Sequence, residues 1–311
     1  MAYKIIDKEQ TESVNKKSSL NVSFHPIDPE WTLDDIVFPA DLKEQLQDIV
    51  AFCKNRDKII KEWELYRFLK GSGGCVGINL WGLPGTGKTI AAEALAGALG
   101  KRLIQASYAT LMDSLQGNTE KNITALFDNA VEQDCVILFD EADGLLSARK
   151  TVGANSDSSN LIKSHMLNIL DRSNAIVVFT TNFFKSYDRA FVRRILWNIE
   201  VPAPGIPELT QIWALHLGSM IPKDITYEEL AQISFSLGEK KNMKITGGDV
   251  KKLTLMLCTR LTSGRIKTIS REVIEPIFEK YLDDLQESKP IKEKEVAESD
   301  LPKPVKELLK D

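Results

Sequence analysis

Apolar positions along this chain follow two rhythms, and the change from one to the other divides it. Between about residues 75 and 180, short runs of strand character alternate with stretches of helical period. The runs are 75–81, 102–106, 135–139 and 175–180. Each is too short for a buried helix and is bounded by polar or glycine-containing turns, so each reads as a strand. Between them, 87–99, 119–132 and 160–170 carry helical patterns. Gly100 stands where a helix end favours a left-handed residue. Short apolar strands separated by helices predict a parallel sheet covered on both faces, an α/β core.

Upstream, Leu42, Leu46, Ile49, Val50, Cys53, Ile59 and Ile60 recur at helical spacing from Asp41 to about Leu69, with a break near Asn55. Lys70 to Gly74 reads as a loop. Residues 1–30 are polar and interrupted by Pro26 and Pro29, the pattern of an arm or linker. Beyond Pro202, Pro204 and Pro207 the strand-like runs stop. Residues 208–217, 227–237, 248–261 and 270–285 then read as amphipathic helices. The expected organisation is an arm (1–30), a large α/β domain (31–203), a small all-helical domain (204–286) and a charged tail (287–311). The tail holds Pro290, Pro302 and Pro304 and cannot build a core, although Val305 to Leu309 could form a short docking helix.

Composition narrows the function classes. Over 311 residues, 43% hydrophobic and 27% charged content is that of a globular protein, and a net charge of -4 argues against a coat for nucleic acid. Lysines 240, 241, 244, 251 and 252 read as solvated helix faces, with a nucleic-acid contact the alternative. No apolar run approaches the ~18 residues of a membrane span, and Met1 to Gln10 has no leader pattern, so a cytoplasmic protein is expected. Cys53, Cys75, Cys135 and Cys258 are scattered, as are His25, His165 and His216. Neither zinc spacing nor a disulfide framework is indicated.

The chemistry lies elsewhere. Gly82-Leu83-Pro84-Gly85-Thr86-Gly87-Lys88-Thr89 fits G-x-x-x-x-G-K-[ST], placed after a predicted strand and opening a predicted helix that continues through Ile90. Its glycines allow backbone N–H groups to turn inward on a phosphate, and the helix start adds positive potential. Lys88 is placed to meet the β- and γ-oxygens and the Thr89 hydroxyl to ligate Mg²⁺, with Pro84, Gly85, Thr86, Gly87 and Ile90 completing the contact set. Fifty-two residues after Lys88, the apolar run 136–139 ends in Asp140-Glu141-Ala142-Asp143. Carboxylates ending a buried strand point to a cation and a water. Asp140 is read as the Mg²⁺ partner and Glu141 as the general base. The run 175–180 ends in Thr181-Asn182, and in a parallel sheet that edge faces the ligand. Asn182 is therefore a candidate for holding the γ-phosphate or the attacking water, against the alternative of a turn former.

From about Trp31 to Leu285 the chain resembles an AAA+ ATPase of the AAA clade. The segments that carry the resemblance are Asp34-Asp35-Ile36, the phosphate loop, Asp140 to Asp143, Thr180-Thr181-Asn182, Arg193-Arg194 followed by Val201-Pro202, and Thr246-Gly247-Gly248-Asp249. The resemblance implies a P-loop NTPase sheet followed by a small helical lid, and a homohexameric ring with ATP and Mg²⁺ at each seam. It also implies Arg193 and Arg194 as arginine fingers for the neighbouring copy, and Asp35, Ile36, Gly247 and Gly248 near the adenine and sugar. Within the clade, Leu145-Leu146-Ser147-Ala148-Arg149 and Ala190-Phe191-Val192-x-Arg are similar to the pachytene-checkpoint branch. That branch implies a HORMA-domain client and, in bacteria, antiphage signalling beside a nucleotide cyclase. Two positions depart from it: Asp249 stands where the branch carries arginine, and Leu115, followed by Gln116, stands where the family's pore loop carries an aromatic residue. Leu115 either grips a threaded chain or packs locally. The expected function is an ATP-driven protein remodeller. A nucleotide-gated assembly scaffold and a DNA-acting loader are the alternatives.

Overall fold

The computed structural model describes residues 24–56, 58–63, 74–106, 119–147, 156–182 and 187–287. The chain divides into two compact units. One runs to Glu208 and takes in Thr246–Asp249; the other comprises Leu209–Ile245 and the chain from Val250.

The first unit is built on five parallel strands: β1 (Val76–Trp81), β2 (Arg102–Ala106), β3 (Cys135–Phe139), β4 (Ile176–Thr181) and β5 (Trp197–Glu200), in the order β2-β3-β4-β1-β5. Around them lie α1 (Ala40–Lys54), α2 (Lys88–Leu99), α3 (Thr119–Glu132), the single turn α4 (Asp143–Leu146), α5 (Ser156–Leu170) and a second single turn, α6 (Arg189–Val192). This is the α/β, P-loop NTPase sheet that the sequence predicts. Alternation of side chains sorts the strands into two cores. Val76, Ile78, Leu80, Val136, Leu138 and Val178 pack with Leu42, Leu46, Ile49, Ala91 and Leu95 on one face. Ile137, Phe139, Val177 and Phe179 pack with Ile123, Phe127, Met166 and Phe191 on the other. Phe139 and Phe179 stack at 5.4 Å between centroids.

Register positions the site. Trp81 aligns with Thr181 and Phe139 with Phe179, so Gly82, Asp140 and Asn182 leave the sheet along one edge.

The helical stretch breaks at Asn55, as its sequence suggests: α1 ends at Lys54 with Asn55 as its cap, and a separate π-helical turn follows at Lys58–Glu62, while 64–69 lie outside the described residues. The Asn55 side chain turns back to donate to Ala51 O at 2.8 Å, which competes with helix continuation. Residues 24–30, expected within a free arm, lie on the sheet: Ile27 exchanges backbone hydrogen bonds with Leu103 at 2.8 and 2.9 Å, and Phe24 packs on the core. Strand β5 was not expected. Gly100 closes α2 in the left-handed conformation that the sequence predicts.

The second unit contains the rest of α7 (Ile206–His216), then α8 (Tyr227–Lys240), most of α9 (Gly247–Thr262) and α10 (Arg271–Glu287). Its core centres on buried Trp213, whose indole N–H donates to Ser234 Oγ at 2.9 Å, while Ser234 donates to Leu230 O at 2.6 Å. Thr226 and Glu229 form a reciprocal capping box that starts α8. No helix among the described residues is long and apolar enough to cross a membrane.

Candidate active site

The loop between β1 and α2 is shaped by backbone demands that only glycine meets. Gly85 has φ +80°, and a Cβ there would lie 2.6 Å from Thr246 Oγ1; Gly87, which caps α2, has φ +95°. Both are left-handed values that cost a side-chain-bearing residue ~1–2 kcal/mol. The result is a run of N–H groups leading into the N-terminus of a 12-residue helix, the electrostatic setting that suits an anion.

Lys88 is buried, and its ammonium donates to Gly82 O at 3.0 Å, Leu83 O at 2.9 Å and Asn182 Oδ1 at 2.9 Å. Burial pushes it below the usual lysine range, while the carboxylates of Asp143, Asp140 and Glu141 pull the other way. The Thr89 hydroxyl donates to Asp140 Oδ1 at 3.1 Å. A hydroxyl beside a carboxylate is a hard-oxygen donor set of the kind Mg²⁺ takes. Positive-φ turns, a buried lysine and this pair fit a Mg²⁺-bound nucleoside triphosphate.

Thr180 organises the acidic turn. Its hydroxyl donates to Asp140 and accepts from the Glu141 N–H at 3.1 Å, while its carbonyl accepts from Ala142 N at 2.8 Å. Glu141 is exposed and sits at φ +52°, one of three non-glycine residues with positive φ among those described. Departures of this kind cluster at functional sites. The Asn182 N–H donates to both Asp143 oxygens at 3.1 and 3.3 Å. The structure thus brings Lys88, Thr89, Asp140, Glu141 and Asn182 to one end of the sheet.

Other expected site residues have different settings. Gly248 N–H donates to Gly85 O at 3.0 Å, bringing Thr246–Asp249 onto the phosphate loop, and Gly247 opens α9 beside it. Asp249 accepts from Thr246 N at 2.8 Å and Thr246 Oγ1 at 2.7 Å. The Asp35 carboxylate folds back onto Thr32, accepting from its N–H at 2.8 Å and its hydroxyl at 2.6 Å, which holds the carboxyl below its usual range. Ile36 is buried in the core with Leu33 and Leu42. Pro84 is exposed, Thr86 is buried and donates to Leu83 O at 2.9 Å, and Ile90 is 42% exposed on α2.

The paired arginines part company. Arg194 donates to both oxygens of Asp171 at 2.8 and 2.7 Å and to Ala190 O at 3.0 Å, all within its own chain. Arg193 is exposed, and its guanidinium has no partner among the described residues. Leu115 and Gln116 lie outside the described residues, as do Ala148 and Arg149.

Sequence reasoning missed Phe38, whose ring would lie 3.3 Å from a Cβ on Gly87, and the anchoring parts of Thr180 and Asp143. The Asp-Glu-Ala-Asp spacing was the available signal for Asp143: three residues after Asp140, its carboxylate returns to the strand end.

Residues 78–203 match the family model "ATPase family associated with various cellular activities (AAA)". The chloroplastic ATP-dependent zinc metalloprotease FTSH 5 of Arabidopsis thaliana is 28% identical over 262 residues, 81% of this chain and 35% of that protein. Human Fidgetin-like protein 1 is 31% identical over 248 residues, 75% of this chain and 35% of that protein. The 26S proteasome regulatory subunit 7 homolog of Schizosaccharomyces pombe is 34% identical over 168 residues, 50% of this chain and 38% of that protein. The chain spans about a third of the length of these relatives. Matching family model, strand order and phosphate loop agree on one conclusion: this chain carries an AAA ATPase domain.

Proposed function

We propose that the chain is a Mg²⁺-dependent ATP hydrolase that works as a homohexameric ring and remodels a client protein. The observation that carries this reading is the convergence of Lys88, Thr89, Asp140, Glu141 and Asn182 beyond one end of a parallel sheet. The loop N–H groups and the start of α2 bind the phosphates, and Lys88 exchanges its carbonyl partners for phosphate oxygens. Thr89 and Asp140 would hold Mg²⁺, which when bound neutralises charge on the phosphates. Glu141, exposed to solvent, takes the proton from the attacking water, and the Asn182 amide orients that water or the γ-phosphate.

Completion of the site needs a positive charge from outside the chain. Arg194 is tied to Asp171, so Arg193, whose guanidinium has no partner among the described residues, is the arginine to offer a neighbouring copy; Arg194 holds the segment that presents it. Such a contribution is worth about 10³–10⁵ in rate, or roughly 4–7 kcal/mol of barrier. Turnover should therefore rise steeply with subunit concentration, and Arg193→Ala should abolish it while leaving ATP binding intact. A dilute monomer that hydrolyses as fast as the assembled form would refute this reading.

Relatives named for proteolysis and proteasome regulation favour a protein substrate. Leu115 and Gln116 are the residues proposed to meet it in the pore. The similarity of 145–149 and 190–194 to the pachytene-checkpoint branch favours a HORMA-domain client in cytoplasmic antiphage signalling with a nucleotide cyclase. Capture on the Glu141→Gln variant, which should bind ATP without turning it over, tests this. Recovery of a HORMA protein supports it, and an unrelated client sinks it.

A further inference from the structure

The second core carries a feature that a purely structural sheet would not need. Four polar side chains lie in sequence on its carboxyl-end, Phe179-side face. The Tyr187 hydroxyl donates to Thr181 Oγ1; Thr181 donates to Asn79 Oδ1 at 3.4 Å; Asn79 Nδ2 donates to Asn198 Oδ1 at 3.3 Å. Asn79, Thr181 and Tyr187 are all buried. Asn79 and Asn198 are register partners on β1 and β5, and Thr181 ends β4, so the chain of hydrogen bonds crosses three strands. Burying these groups is costly unless every one is paired, and apolar side chains would fill the same space without that demand.

What lies between the two ends of this chain gives it a purpose. Tyr187 stands at the start, and Asn198 at the end, of the excursion that carries α6 and both arginines. At the outgoing end, Tyr187 bridges Ser147, Asp188 N–H donates to Leu146 O at 2.9 Å, and Asp188 caps α6 by accepting from Ala190 N at 2.9 Å. At the returning end, Leu196 N–H donates to Gly77 O at 2.9 Å before β5 begins. Thr181 directly precedes Asn182, which meets Lys88, and α4 begins at Asp143, which meets Asn182. We propose that the buried chain is a clasp, and that the Tyr187 hydroxyl is a positioning group which fixes Arg193 for the active site of a second copy. Burial, with Asp143 nearby, pushes the Tyr187 hydroxyl well above its usual range, so it stays a hydrogen-bond donor at any working pH.

The inference rests on the seam reading above, and a test can separate the two. Full-length Arg193→Ala keeps its own ATP site but lends no charge; full-length Glu141→Gln cannot hydrolyse but keeps Arg193. Each is inert alone, and mixing them should restore ATP turnover. Tyr187→Phe is then added to one partner at a time. On the Glu141→Gln copy, which donates the arginine, it should cut the restored rate about tenfold or more, within the ~10²-fold that a 1 Å misplacement costs. On the Arg193→Ala copy the restored rate should stay within about twofold, an asymmetry that a general loss of packing does not produce. Equal losses on both copies, no loss on either, or loss confined to the Arg193→Ala copy would overturn the clasp. A parent mixture that regains no turnover would instead overturn the seam reading and the clasp with it. Should Tyr187→Phe fail to fold, Thr181→Val on the donor copy should reproduce the loss and Thr181→Ser should restore the rate; failure of that pattern counts equally against the proposal.

Discussion

The two ends of the central sheet solve different problems. At the carboxyl end Thr180, Asp140, Glu141 and Asn182 are held by a web of side-chain and backbone hydrogen bonds, with a buried lysine and a glutamate at positive φ. At the amino end the same strands start beside a cavity of about 210 Å³ lined by Cys53, Arg56, Lys101, Cys135 and Asn174. There burial dominates: it raises the thiols of Cys53 to about 11 and of Cys75 to about 12, despite the positive charge of Arg56. A thiol that keeps its proton is a small apolar filler. One end accepts strain and desolvation to aim charges; at the other, burial keeps the thiols uncharged beside Arg56.

Substitutions sharpen the contrast, starting with the largest effect. Glu141→Gln should lower ATP turnover by about 10²–10⁴ with nucleotide affinity retained, read from steady-state rates and equilibrium binding. A variant that turns over normally would strip the carboxyl end of its base. Gly85→Ala puts a methyl group against Thr246 at a left-handed φ. It should weaken ATP binding about tenfold, the equivalent of ~1–2 kcal/mol of backbone strain, in a titration of the folded variant.

The amino end should respond to pH instead. The unfolded chain releases its thiol protons near pH 9 while folded Cys53 and Cys75 hold theirs to about 11 and 12, so the folded state binds more protons in between. Stability should therefore fall as pH rises from ~9 to ~11, by up to about 1.4 kcal/mol per pH unit per thiol. The joint Cys53→Ala, Cys75→Ala variant should lose most of that slope in denaturant melts, and an unchanged slope would show the thiols are not the cause. The smallest effect belongs to Asp134→Asn. Its carboxylate pairs with Lys101 but is 81% exposed, and asparagine tolerates its φ of +53°. Stability should change by no more than about 0.5 kcal/mol.

How far the sequence reveals this arrangement depends on the range of the forces involved. Strands β1 to β4, with α2 and α3, lie within a residue of the predicted bounds, because burial on both faces and turn chemistry are written locally. Strand β5 is Trp197-Asn-Ile-Glu, four residues in alternation behind two arginines, and its place in the sheet comes only from pairing with β1. The phosphate loop is legible because it is one continuous segment whose glycines and lysine have few other reasons to stand together. Phe38 against Gly87, and Gly248 against Gly85, are long-range contacts that no local spacing encodes. Nor does the pair Arg193-Arg194 reveal which head group is committed; that is decided by Asp171, at the end of a different helix. Asn79 and Tyr187 sit in segments that otherwise read as ordinary strand and loop, and only the sheet register makes partners of their neighbours.

Gly248 resting on the phosphate loop also bears on where this protein can be cut. Four residues from far along the chain, Thr246–Asp249, fold with the first unit, although the sequence boundary of the ATPase domain falls more than forty positions earlier. A fragment trimmed at Glu208 would keep β1 to β5 and the acidic turn of Asp140, Glu141 and Asp143, yet leave the mouth of the loop without its cover. Shortening the protein to its recognisable minimum would thus trade away grip on the nucleotide while the fold itself survived.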